Sequence, residues 1–201
     1  MFHGIRACLR EVHGNPSLKG RTVAIQGLGC VATTLIEHLT AEGATVIGCD
    51  LDMQKVEAIA KSHKIETIRP EAVYDVECDV FAPCALGAIV NKDTIPRIKA
   101  KIIAGAANNQ LATPEDGMEL LNKKVLYAPD YAINAGGLIN IYFETQPGGY
   151  NRQAAFDYVA RIEATLGNIF VRSKNEGIPT HVVADQIAEE RIAKRQKIAL
   201  Q

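Results

Sequence analysis

The 201 residues carry 22 Lys and Arg against 23 Asp and Glu, a formal net charge of -1, so no basic excess is present to hold nucleic acid or an anionic membrane surface. With 47% hydrophobic and 22% charged residues, the composition is that of an ordinary globular chain long enough to bury one substantial core, not of a disordered or membrane-spanning one. Five cysteines without a C-x-x-C pair give no ground for a disulfide framework or a zinc site, and predict buried reduced thiols and no bound metal.

The opening MFHGIRACLREVHG has Ile5, Cys8, Leu9 and Val12 at helical spacing. It lacks the positive start and long apolar run of a secretory signal, and no run is long enough to span a bilayer, so the expected compartment is cytoplasmic. From Gly27 to Asp130, short runs rich in Val, Ile and Ala alternate with longer stretches of helical period, the pattern of βαβ units and a parallel sheet. Strands are predicted at 22–26, 45–49, 65–68, 80–82, 101–104 and 125–127, apolar on both faces and suited to a sheet covered on two sides. Helices are predicted at 31–42, 53–61, 93–97 and 115–123. The first places Val31, Leu35 and Leu39 on one face and stops at Gly43, and Pro114 adjoins the start of the last. Beyond the turn at 147–149, two long helices at 151–175 and 180–197 are separated by Gly177 and Pro179. In the first of them Phe156, Val159, Ile162, Leu166 and Ile169 are expected to face the core.

The segment TVAIQGLGCVATTL sets Gly27, Gly29 and Ala32 as G-x-G-x-x-A, directly after a predicted strand and at the start of a predicted helix. Gly27 permits the tight turn, Gly29 lets a diphosphate approach the backbone, and Ala32 lets the helix lie close to the sheet. The diphosphate would sit at the amide-rich end of that helix. Asp50, at the tip of the next strand, is placed to grip ribose hydroxyls. Two carboxylates, Asp50 and Asp52, with no neighbouring arginine disfavour the extra phosphate of NADP, so the cofactor read here is NAD; Asp52 alone reads as a solvated loop acid. The expected fold is α/β: a Rossmann-like doubly wound, mostly parallel sheet with flanking helices and a C-terminal helical tail. The expected organisation is one domain, with a leading helix at 1–18, the Rossmann core at 19–145 and the closing helices at 150–198.

Five segments, SLKGRTVAIQGLGCVA, CDVFAPCALGAIVN, KIIAGAANNQLATPEDG, VLYAPDYAINAGGLINI and GIPTHVVADQIAEERIAK, together resemble the leucine, phenylalanine and valine dehydrogenase family of oxidative deaminases. The resemblance covers essentially the whole chain, and the extended PDYAINAGGLIN block favours leucine among branched-chain and aromatic L-amino acids. It implies an NAD-binding domain in which Pro83, Cys84 and Ala85 line the nucleotide path and Asn108 lies near the nicotinamide ribose or the reaction centre. Small residues after the predicted strands, Ala106 among them, leave room for a flat ring. Asn134 has two readings: N-cap of a helix opened after a strand end at PDYAI, or, by resemblance, a contact to the nicotinamide amide or the substrate. Cys84 reads as a core thiol, with no base beside it. The cofactor-binding set is therefore Gly27, Leu28, Gly29, Cys30, Val31, Ala32, Asp50, Leu51, Pro83, Cys84, Ala85, Ala106, Asn108 and Asn134.

In the resembling family the catalytic lysines and aspartate stand on an N-terminal substrate domain with a glycine-rich lysine motif, and no G-G-G-K occurs here. Lys19, Lys92, Lys99, Lys101, Lys123 and Lys124 all read as solvated surface charge. The chain by itself is therefore expected to bind NAD without turning over amino acids, taking its substrate only with such a domain. An excised domain, an interrupted reading frame and one half of a split enzyme are the three accounts of this, in that order. An apolar face left by the absent domain predicts self-association. The alternatives are a noncatalytic NAD-responsive assembly module and a glutamate dehydrogenase-like specificity; the AANNQL and PDYAINAGG blocks argue against malate oxidation.

Overall fold

The computed structural model describes residues 1–199. The predicted strand segments form β1 (Thr22–Gln26), β2 (Thr45–Cys49), β3 (Glu66–Thr67), β4 (Val80–Pro83), β5 (Ile102–Ile103) and β6 (Leu126–Tyr127). Among the described residues they make one sheet in the order β3-β2-β1-β4-β5-β6, every pair parallel. Parallel neighbours need long crossovers, and α2 (Cys30–Ala41), α3 (Met53–His63) and α4 (Pro114–Asn122) lie in three of them. The chain steps outward from β1 to β3 and then returns to place β4 on the other side of β1. The strand order thus reverses between β1 and β4, which opens a crevice at their carboxyl ends.

The two-residue period of a strand divides the core. Val23 and Ile25 of β1 join Leu35, Leu39, Ile102 and Leu166 on one face, while Ala24 joins Val73, Phe81, Ile103 and Leu120 on the other. α1 (Phe2–His13) buries Ile5, Cys8 and Leu9. It runs along α7 (Arg152–Glu176), whose Glu163 receives Arg10 at 2.7 Å and also faces His3 and Arg6. Gly177, at φ +68, ends α7 before α8 (Thr180–Ala199).

Several expectations change. Residues 93–97 form turns and not a helix: Asn91 Oδ1 accepts the Asp93 and Thr94 amides, and Pro96 has no amide with which to extend a helix. PDYAI does not end a strand; Pro129 stops the ladder, and α5 (Asp130–Ile133) and α6 (Gly136–Glu144) follow. Val31 is 58% exposed, so the inner face of α2 is Ala32, Leu35, Ile36 and Leu39. Phe156 is likewise exposed, while Ile162, Leu166 and Ile169 are buried and Val159 is half-buried. Cys8 and Cys49 are buried, Cys78 and Cys84 half-buried, and Cys30 exposed against expectation. Among the described residues no helix is long and apolar enough to cross a membrane.

Candidate functional site

The turn between β1 and α2 is built on Gly27, at φ +92, whose amide donates to Cys49 O at 2.7 Å. A Cβ there would stand 2.6 Å from the Ala85 Cβ, so both the backbone conformation and the neighbouring loop require glycine. Gly29 differs: it is the N-cap of α2 at φ -76, and an added Cβ would meet no atom within 4 Å. Neither the backbone nor any neighbouring atom therefore requires glycine there. No side chain caps α2, and its first amide-to-carbonyl bond runs from Thr33 N to Gly29 O. The amides of Cys30, Val31 and Ala32 thus form an uncapped positive end, where Cys30 and Val31 are exposed and Ala32 is buried against the sheet.

Asp50 follows β2 and reaches across to this turn. Its Oδ2 accepts the Leu28 amide at 2.8 Å and its Oδ1 the Asp52 amide at 3.0 Å. Partial burial raises its pKa, but these two amides and Lys55 outweigh it and hold the carboxyl below the usual carboxylate range. Lys55 Nζ stands 3.4 Å from Asp50 Oδ2, a cation that a search for arginine alone overlooks. Asp52 caps α3 by accepting the Gln54 and Lys55 amides, and Leu51 between the two acids is 81% exposed.

Across the switch point, Cys84 N donates to Gln26 O at 2.7 Å and Ala107 N to Pro83 O at 3.0 Å, which ties the loop after β4 to β1 and the loop after β5 to β4. Burial pushes the Cys84 thiol up to about 11, so it is no thiolate nucleophile at neutral pH. Fully buried Gln110 donates through Nε2 to the carbonyls of Gly105 and Ala107, both at 2.9 Å, and so shapes the AANNQ loop. Asn134 is not an N-cap. Its amide closes α5 by donating to Asp130 O, and α6 starts two residues later. Its Nδ2 donates to Asn108 Oδ1 at 2.7 Å and to Ala106 O at 3.2 Å.

The structure thus brings the predicted residues into one row along the carboxyl ends of β2, β1, β4 and β5. Asp50 holds Leu28, Gly27 abuts Ala85, and the Asn108–Asn134 pair lies on the loops beyond. Asp130, which sequence reasoning missed, is buried and accepts the Asn109 amide and the Tyr127 hydroxyl. Its signal was an acid set among apolar residues in the PDYAIN block. The lysines at 19, 92, 99, 101, 123 and 124 are all exposed.

A doubly wound parallel sheet carrying a glycine turn at its switch point defines a Rossmann-like dehydrogenase fold. The chain belongs to the Glutamate/Leucine/Phenylalanine/Valine dehydrogenase family, whose sequence profile matches residues 49–197. It is 45% identical over 197 residues to a leucine dehydrogenase of Thermoactinomyces intermedius, covering 98% of this chain and 53% of that protein. To a valine dehydrogenase of Streptomyces coelicolor it is 42% identical, with 96% and 53% covered. The crystal structure of L-tryptophan dehydrogenase from Nostoc punctiforme superposes with a TM-score of 0.92 at 42% identity, over 96% of this chain and 58% of that one. The chain spans about half the length of the curated relatives it matches.

Proposed function

We propose that this chain is the NAD-binding half of an amino-acid dehydrogenase that oxidatively deaminates a branched-chain or aromatic L-amino acid, leucine first among them. The observation that carries the reading is the row at the switch point: uncapped amides over open space at Gly29, a carboxylate at the neighbouring strand tip, and a paired amide site beyond. The Gly27–Ala32 turn would hold the diphosphate on the uncapped amides of Cys30, Val31 and Ala32, the Gly27 and Leu28 amides being bonded to Cys49 O and Asp50, and Asp50, with Leu51 beside it, the adenosine ribose. Pro83, Cys84, Ala85 and Ala106 would line the path, and Asn108 and Asn134 would meet the nicotinamide end. Both amide hydrogens of Asn134 are taken by Ala106 O and Asn108 Oδ1, which leaves its Oδ1 to accept from a carboxamide. When bound, NAD supplies the hydride acceptor for oxidising the amino acid to its 2-oxo acid.

A lysine that works as a base must be desolvated or set beside another cation; every lysine of this chain but Lys55 is exposed, and Lys55 is half-buried against the Asp50 carboxylate. We assign that role to a substrate-binding part of the enzyme outside these 201 residues. α6 buries none of its own residues, and Leu138, Ile141 and Tyr142 on it are exposed together with Phe156. This apolar face suits contact with that part, and would support self-association of the chain without it.

Calorimetric titration of NAD and NADP into the purified chain tests the reading. NAD is expected to bind the more tightly, and Asp50→Ala to weaken it by about tenfold, as loss of a charge-assisted contact does. A chain that binds neither nucleotide, or an Asp50→Ala variant with unchanged NAD affinity, ends this account.

A further inference from the structure

On the dinucleotide reading just given, we propose that Asp130 is a positioning residue that sets the Asn108–Asn134 pair at the nicotinamide end of the site. Its carboxylate is buried and, among the described residues, has no cationic partner. Such a group must be compensated by dipoles of fixed direction. Asp130 Oδ2 accepts the Asn109 amide and Oδ1 the Tyr127 hydroxyl at 3.2 Å.

The Asn109 amide belongs to the peptide that joins it to Asn108, so the carboxylate fixes the plane from which the Asn108 side chain springs. Asn109 sits at φ +53, a left-handed conformation unusual for a non-glycine residue. Its carbonyl is held from the other side by the Ala88 amide at 2.6 Å. The main chain of Asp130 holds the second asparagine: its carbonyl accepts the Asn134 amide at 2.9 Å. One residue therefore anchors both asparagines, which stand 26 apart in the chain and meet at 2.7 Å. The anchor itself rests on β6, where Tyr127 is buried and its carbonyl accepts the Thr180 hydroxyl at 2.7 Å. None of the bonds made by Asp130 reaches Gly27, Leu28 or Asp50.

The effect of Asp130 should thus be confined to one end of the cofactor. In calorimetric titrations of the 201-residue chain, Asp130→Asn is expected to weaken NAD by about tenfold while ADP, which lacks the nicotinamide, stays within about twofold. In an Asn134→Ala background the same substitution should add almost nothing, because the two act on one contact. NAD affinity unchanged in Asp130→Asn, an equal loss for NAD and ADP, or full additivity with Asn134→Ala would each overturn the proposal. If Asp130→Asn does not fold, Tyr127→Phe takes its place, expected to weaken NAD alone by about threefold, and no change there overturns it too. A wild-type chain that binds neither ADP nor NAD would fail the dinucleotide reading itself and remove this proposal with it, a result separable from all the others.

Discussion

Gly27 and Gly29 stand two residues apart and are required by different things. An alanine methyl at position 27 would lie 2.6 Å from the Ala85 Cβ and 2.9 Å from its amide nitrogen, on a backbone at φ +92. Gly27→Ala is expected to lose about 2 to 4 kcal/mol of stability, from left-handed strain together with overpacking. At position 29 the backbone suits any residue and the space is open. Gly29→Ala should therefore change stability by less than about 1 kcal/mol, the scale of an N-cap change, while weakening NAD. Denaturant unfolding and calorimetry on the two variants check the contrast; a destabilised Gly29→Ala with full NAD affinity would reverse it. The G-x-G-x-x-A pattern locates both glycines, but only the packing against Ala85 separates a glycine the fold needs from one a ligand would need.

At the scale of elements, the strands were legible because buried parallel strands read as short apolar runs, and all six appear within or overlapping their expected spans. The helices that failed were those whose signal is tertiary or local and polar. Residues 93–97 follow an Asn91 side chain that competes for backbone amides, and α5, read as a strand end, is a four-residue turn of helix too short to show a periodic stripe. The docking of α8 carries a pH dependence. His181 lies in the first turn of α8 against Gly117 of α4, with both ring nitrogens buried and without a hydrogen-bond partner among the described residues. Burial lowers its pKa, and Asp185 only partly opposes this. A histidine with a depressed folded pKa binds its proton more readily when unfolded, so stability falls as pH drops from about 6.5 toward the folded value. The melting temperature is expected to decline between about pH 7 and 5, and the decline to shrink in His181→Gln. An identical pH profile for the variant would show that His181 is not its source.

For the whole molecule, the fold and the geometry of the first crossover were readable because both are written in contiguous blocks: a strand, a glycine turn, a helix and an acid. The pairing of Asn108 with Asn134 and its anchoring by Asp130 join loops after two different strands, and no local pattern records that. The chain matches about half of each relative's length, and this sets an expectation for activity. The purified chain should not deaminate leucine measurably by itself. It should gain NAD-dependent turnover when mixed with the separately produced other half of a relative such as the leucine dehydrogenase, followed by absorbance of the reduced nicotinamide. Sustained turnover by the chain alone would move the desolvated base into these residues.

Of the five sulfhydryls, four are wholly or partly shielded and Cys30 alone is open to solvent, on the first turn of α2 beside the outward-facing amides. A thiol-directed reagent therefore has one easy address on the molecule, at the uncapped end of α2 where the proposed dinucleotide would bind.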